Sequence, residues 1–392
     1  MRIAIIVRDL DIKGGTQKQV LRLAQFLKNK GHTVEIITYD YYPYSFYKGI
    51  EDIKVNYLRF GKMYKKKPTN LAVLFSGAVF KLLKLISLQT DIVNIHDNGL
   101  EILIPFVKLF RPKAKIVWQV NDLPFIFGEG IAKAKRNRRN KFKYIIAKIF
   151  YRFISLLVDE ITVNVTKNKI LVNKYFGKDA RVIYCGVDIM CDKFLERKIT
   201  NKIKLVSTGV FFPYRNYESI LRAMKILKDN GKNCTLSIVG STSLDPEYAD
   251  SIRSLAKDLD LEVNILGEIS EDELREIYLE SHLFLFLNIE QSWGLAIFEA
   301  MSCGLPVIIS ESVGAVEILK GTKGVVILDP FNIEAVAEEI GRFSDKDYYL
   351  EMSYQAFLAS REMSWDSMYS SKVEILFYNL VSKDPKIGAS EK

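Results

Sequence analysis

The sequence predicts an α/β protein built from two doubly wound parallel-sheet domains, and three observations carry that expectation. Residues 283–309 read as strand, loop, helix and strand in succession, the repeating unit of an open parallel sheet. Residues 2–38 show the same order near the start of the chain. A chain of 392 residues is also too long for one ordinary core, so two sheets are expected.

Taken in order, Arg2–Arg8 (RIAIIVR) is a short apolar strand, and Asp9–Gly15 is a loop ending in Gly14-Gly15. Thr16 is placed to cap a helix over Gln17–Lys30, where Val20, Leu21, Leu23, Ala24 and Leu27 recur at helical spacing. Gly31 ends that helix and Thr33–Thr38 is the second strand. A glycine pair at a strand-to-helix turn lets a phosphate approach the backbone, although a turn needs glycine in any case. Asp91–Ile95 and Lys115–Val120 are further strands. His96-Asp97 and Asn121-Asp122 stand at their carboxyl ends, where open sheets bind ligands. A histidine closing a strand is as often structural as functional, so both readings of His96 stay open.

Arg181–Asp188 (RVIYCGVD) ends a strand, and Ile203–Ser207 opens the second doubly wound unit. Its first turn is Thr208–Asn216 (TGVFFPYRN). Cys234–Gly240 and Glu262–Leu266 are the next strands, with a helix from about Pro246. Leu283–Leu287 (LFLFL) is a buried strand, and the loop Asn288–Trp293 after it carries acid and amide groups. Gly294 permits a tight entry to a helix in which Leu295, Phe298 and Met301 share a face. Cys303-Gly304 and Pro306 end that helix, and Val307–Ile309 is the following strand. Free N–H groups at the start of this helix suit an anion such as a diphosphate. Glu299, two turns in, either accepts hydrogen bonds from sugar hydroxyls or merely decorates a helix face. Met363–Val381, with Trp365, reads as a terminal helix.

Charge divides the chain. Residues 1–195 carry 35 Lys and Arg against 16 Asp and Glu, a net of +19, while the remainder nets −10 within the overall +9. The basic residues cluster at 62–67 and 133–152, and no acid occurs between Glu129 and Asp159. Such a face is a solvated helix surface or attracts anionic lipid head groups. No nucleic-acid fold signature accompanies it, so no nucleic-acid partner is expected. Leu71–Leu88 is too interrupted by Lys81 and Lys84 to span a bilayer, and the amino terminus does not read as a signal peptide. Four cysteines show no metal or redox spacing and fit a reducing cytoplasm; three histidines make a His-built metal site improbable.

The stretch 288–309, NIEQSWGLAIFEAMSCGLPVII, resembles the hallmark segment of retaining GT-B glycosyltransferases of family 4, E-S-F-G-L-x-x-x-E-A-M-A-C-G-x-P-V. Further resemblances span nearly the whole chain. They are the Gly14-Gly15 loop, Gly31-His32-Thr33-Val34, Ile116–Asp122, the hinge at Cys185–Asp188, Arg215-Asn216, Gly267-Glu268-Ile269 and Gly314–Glu317. The resemblance implies that Glu299 holds the nucleotide ribose and that Arg215, beside Asn216, holds the donor diphosphate. It implies donor contacts at Gly14, Gly15, Trp293, Gly294 and Leu295, with Ile269 bordering the nucleobase. Three positions depart from the family. Its first Glu falls on Gln291, with Glu290 one residue early; a second basic residue is replaced by Val210; and a sugar-facing His is replaced by Asn121. Asparagine can hydrogen-bond but cannot titrate, which suits sugar binding better than proton transfer. His96 and Asp97 fall on the acceptor or sugar side.

The expectation is therefore a GT-B protein. Residues 1–185 would form the acceptor-side domain, 186–364 the nucleotide-sugar domain facing it across a cleft, and 365–392 a helix crossing back to the first domain. It would transfer a sugar with retention from a nucleotide-diphosphate-sugar to a hydroxyl, with a lipid-linked or other glycan as acceptor. No cofactor or metal is implied. The basic segment 133–152 would rest on an anionic membrane, on the cytoplasmic face. The alternative is a catalytically impaired nucleotide-sugar-binding partner, which the three departures favour and the retention of Arg215 and Glu299 opposes.

Overall fold

The structure is a computed structural model that describes residues 1–10, 14–41, 51–60, 77–96, 99–127, 138–199, 202–289 and 293–382. It contains two units, one formed by 1–186 together with 365–392, the other by 187–364.

The first unit holds a seven-stranded sheet, all of whose pairings are parallel. Its strands are β1 (Arg2–Leu10), β2 (Thr33–Tyr41), β3 (Lys54–Phe60), β4 (Ile92–His96), β5 (Lys115–Val120), β6 (Glu160–Val163) and β7 (Arg181–Val182), in spatial order 3-2-1-4-5-6-7. β1 runs two residues past its expected end because Asp9 and Leu10 pair with Asp40 and Tyr41. The first helix starts earlier than expected, at Gly15 rather than Gln17, and Gly14 is its cap. Thr16 therefore lies within the first turn and does not cap. Its hydroxyl is instead turned to the sheet side, where it accepts from Asn121 Nδ2 at 3.3 Å. The last helix among the described residues, Ser371–Ser382, follows a π-helical turn at Asp366–Ser370 and belongs to this unit. Glu374 accepts from His32 Nε2 at 2.8 Å, and Tyr378 lies 5.6 Å from the same ring, so the tail is tied to the start of β2.

The second unit holds a six-stranded parallel sheet of β8 (Lys202–Thr208), β9 (Asn233–Val239), β10 (Glu262–Gly267), β11 (Leu283–Phe286), β12 (Val307–Ser310) and β13 (Val325–Leu328), in spatial order 10-9-8-11-12-13. β11 and β12 are buried along their whole length, as expected of apolar runs covered on both faces. Helix Tyr217–Asp229 packs its Ile220, Leu221, Met224 and Leu227 into the core beneath β8 and β9. In both sheets the strand order reverses once, between β1 and β4 and between β8 and β11. Crevices beyond the carboxyl ends at such reversals are where doubly wound sheets bind ligands.

Candidate functional site

At the reversal of the second sheet, the turn after β8 carries Arg215 and the turn after β11 leads to Gly294. Pro213–Arg215 forms one 3-10 turn, and Asn216 adopts the left-handed conformation (φ 54°) before helix Tyr217–Asp229. Asn216 Nδ2 donates to Leu287 O at 3.2 Å and to Pro330 O at 3.1 Å, and its Oδ1 accepts from Ser219 Oγ at 2.8 Å. Ile289 N donates to Tyr214 O at 2.9 Å. The Arg215 turn is thus pinned to the loop after β11, and Asn216, expected beside Arg215 at the donor, spends its Nδ2 on Leu287 and Pro330 and its Oδ1 on Ser219 of its own helix.

The Arg215 guanidinium lies 5.1 Å from the Tyr214 ring centroid and 5.8 Å from that of Phe286, the last residue of β11. It rests on Gly209, where an added Cβ would stand 2.4 Å from Arg215 Cζ. Arg215 Nε is buried and has no hydrogen-bond partner. A buried cationic donor left unpaired is costly unless an anion completes it. Phe286 also meets Gly294, whose added Cβ would stand 3.2 Å from Phe286 Cε1. Gly294 has φ 106° and opens helix Leu295–Ser302. Arg215 and the N–H groups of that helix entry are therefore joined through one phenylalanine ring.

Trp293 is buried and stacks on Phe298 with centroids 5.3 Å apart. Leu295 and Glu299 are half-buried on the same helix, while Ile297, Phe298, Ala300 and Met301 form its core face. Tyr278, fully buried, has its phenol pushed well above its ordinary range, first by burial and next by the Glu299 charge, which places that carboxylate near it. Ile269 follows Gly267 at the end of β10 and is half-buried before the capping box of helix Glu271–Glu280. Glu290, Gln291 and Asp97 lie outside the described residues.

At the reversal of the first sheet stand Gly14 and Gly15 after β1 and His96 closing β4. At Gly14 an added Cβ would meet Gln17 Oε1 at 2.5 Å, so the glycine lets Gln17 fold back, where its Nε2 donates to Asp9 O at 3.1 Å. His96 is fully buried; it contacts Asn94 Oδ1 through Nε2 at 2.7 Å, and its Nδ1 is unpartnered. Burial lowers its pKa to about 3, so it is neutral at physiological pH. Asn121 joins an amide network: its Nδ2 donates to Gln19 Oε1 at 2.7 Å and its Oδ1 accepts from Gln119 Nε2 at 2.9 Å. Gln119 Oε1 in turn accepts from Thr162 at 2.7 Å and from Tyr369 at 3.3 Å. Sequence reasoning passed over Glu101, a buried carboxyl that accepts from Tyr151 OH at 2.7 Å and whose pKa burial raises. It also passed over Gly209 and Phe286; a glycine six residues ahead of Arg215 was the available signal. No cluster of three His, Cys, Asp or Glu side chains able to hold a metal occurs among the described residues.

Two doubly wound parallel sheets in one chain are the architecture of the GT-B class of glycosyltransferases. Residues 192–357 match the model "Glycosyl transferases group 1", and residues 13–190 match "Glycosyltransferase Family 4". An uncharacterised glycosyltransferase of Haemophilus influenzae is 21% identical over 92% of this chain and 96% of its own. The O-antigen chain mannosyltransferase RfbU of Salmonella typhimurium is 24% identical over 51% of this chain and 59% of its own. A glycosyltransferase structure from Rickettsia africae superposes with a TM-score of 0.71 at 19% identity, covering 98% of this chain and 99% of its own. The chain belongs to the group 1 family of glycosyltransferases.

Proposed function

We propose that the protein moves a sugar, with retention and without a metal ion, from a nucleotide-diphosphate-sugar to a hydroxyl of a lipid-linked or other glycan acceptor. The observation that supports this most is the Arg215 guanidinium, held over Gly209 and against Phe286 with its buried Nε unpaired, beside the N–H groups at Gly294. Negative charge develops on the leaving diphosphate, and fixed donors aimed at it are usually the largest catalytic term. Glu299 takes the ribose hydroxyls, Ile269 borders the base, and Gln291 or Glu290 reads the donor sugar. Asn216 positions Arg215. In the first unit, Gly14, Gly15 and Asn121 serve the donor, and His96 and Asp97 serve the acceptor or sugar side.

The acceptor is placed at an anionic membrane surface on the cytoplasmic face, through the basic segment 133–152. Helix Arg138–Leu157 supports this reading. Phe142, Ile145, Ile146, Ile149, Phe153 and Leu156 form a continuous stripe along it, each half or more exposed. A stripe of that size on a surface calls for a partner, and Lys143 and Arg152 lie exposed on the same helix. The apolar residues of 144–150 read from the sequence as one face for insertion, Tyr144 and Phe150 among them. These two instead pack against the core, because Tyr144, Ala147, Tyr151 and Ile154 recur on the sheet side of the helix. None of the described helices is long and apolar enough to cross a membrane.

The test is a screen of purified protein against nucleotide-sugars, by calorimetry and by slow hydrolysis. A mannose nucleotide comes first, because the Salmonella relative is named a mannosyltransferase. Binding with release of the nucleoside diphosphate is expected, and no binding at millimolar donor would overturn the reading. Val210, in place of a basic residue, favours a second reading as a catalytically impaired donor-binding partner. Binding without hydrolysis or transfer would select it.

A further inference from the structure

Cys191 and Cys303 are separated by 112 positions in the chain, yet their sulfurs stand 3.0 Å apart within the second unit. Cys303 closes the carboxyl end of helix Leu295–Ser302, and Cys191 lies in the extended segment ahead of β8. Both are buried free thiols.

The surroundings hold the two backbones together. Arg361 Nη2 donates to Cys191 O at 2.6 Å and to Ser302 O at 2.9 Å, so one guanidinium bridges both segments. Met190 N donates to Ser302 Oγ at 3.1 Å. Arg197 donates through Nη2 to Cys303 O and through Nη1 to Gly304 O, the latter at 3.1 Å. The hydrogen bond from the Cys303 thiol lowers the Cys191 pKa to about 7, helped by Arg275, Arg197 and Arg361 against the effect of burial. The same contact and burial push Cys303 upward.

We propose that Cys191 and Cys303 are an oxidation site, a thiol pair that hydrogen peroxide closes to an intramolecular disulfide. The Cys191 thiolate attacks one peroxide oxygen, the O–O bond breaks, and hydroxide leaves as Cys191 becomes a sulfenic acid. Cys303 then loses its proton and attacks the Cys191 sulfur, and the sulfenic hydroxyl departs with that proton as water. The proton that Cys191 gave up on ionising neutralises the hydroxide, so two thiols lose two electrons, peroxide gains them, and two waters form. The sulfurs approach by only about 1 Å to reach the usual S–S bond length. The bond ties the helix that carries Glu299 to the segment ahead of β8. Cys185 and Cys234 serve as internal controls, because burial pushes their thiols up to about 12 and about 11.

The experiment treats the reduced full chain with stoichiometric hydrogen peroxide, alkylates the remaining thiols, and maps peptides by mass spectrometry. The expected result is one cross-linked pair joining Cys191 to Cys303, with Cys185 and Cys234 still alkylated. The cross-link should raise the guanidinium unfolding midpoint, and dithiothreitol should reverse both changes. In Cys303→Ser the reaction should stop at a Cys191 sulfenic acid that dimedone traps; in Cys191→Ser, Cys303 should stay reduced. Recovery of all four cysteines as alkylated thiols, a cross-link between any other pair, or dimedone on Cys303 first would overturn the proposal.

Discussion

Arg215→Ala is expected to lower turnover by two to three orders of magnitude. In the proposed reaction the guanidinium meets the leaving diphosphate, and the family's second basic position is held here by Val210. Loss of one fixed donor at a developing oxyanion costs about 2.7–4 kcal/mol, and each 1.36 kcal/mol is tenfold in rate. The cost to folding is smaller. The side chain's stabilising contacts are its stacks on Tyr214 and Phe286, together about 1–2 kcal/mol, and its unpaired buried Nε offsets part of that. The variant should therefore fold, and circular dichroism and a melting curve check this. Arg215→Lys keeps the charge and loses the planar fork, so an intermediate loss is expected. Gly209→Ala is the complementary perturbation: its Cβ would stand 2.4 Å from Arg215 Cζ at a backbone φ of +150°, displacing the guanidinium while its charge remains. Steady-state transfer with the donor found in the screen, together with calorimetric affinity for the nucleoside diphosphate, reads each variant. Arg215→Ala turnover within threefold of the unaltered protein, in a folded sample, would refute the role given to this residue.

Four further outcomes are expected. Glu299→Gln keeps the size and weakens a charge-assisted hydrogen bond, so nucleotide affinity should fall by roughly 1–3 kcal/mol; unchanged calorimetry would remove Glu299 from the ribose. Gln291→Ala and Glu290→Ala, made separately, should identify by altered donor-sugar selectivity which side chain reads the sugar; no effect from either means that the loop does not. Replacing Ile145, Ile149 and Phe153 by Ser together should abolish binding to anionic liposomes while leaving donor binding intact, and liposome binding that survives would remove this stripe from the membrane reading. His96 stays neutral in the fold down to about pH 3 but takes a proton near 6.5 when unfolded, so stability falls as pH drops from 6.5 toward 3, by about 2 kcal/mol at pH 5. Denaturant titrations at pH 7 and pH 5 should show that loss, and His96→Asn should flatten it.

The element order was legible because its signals are local. The apolar periodicity of residues 17–30, the LFLFL run at 283–287 and the Gly304–Pro306 stop each reside in a few consecutive residues. Two of the four edge strands, β3 and β13, were not legible. β3 (KVNYLRF) mixes charges into its alternation because only β2 flanks it, and β13 is a four-residue run at the other sheet's edge. β6, four residues long, gave too short a pattern to stand out. Arg215 was marked by the family resemblance of its turn, TGVFFPYRN. What holds it was not, because Phe286 is 71 residues away in sequence and comes close only when β8 and β11 pair.

By itself, then, the sequence determined two doubly wound sheets, the position of their glycine turns and the family they belong to, because strands, helices and turns are specified by neighbours within a few residues. The tertiary structure decided which side chains are spent on scaffolding and which are left for a ligand. Asn216 and Asn121 proved to be bonded within the protein, and Arg215 Nε proved to be buried and unpaired. It also decided that Tyr144 turns inward while Ile145 and Ile149 turn out, and that Cys191 meets Cys303. Hydrogen-bond satisfaction and burial depend on partners far off in the chain, and those partners exist only once the sheets have closed.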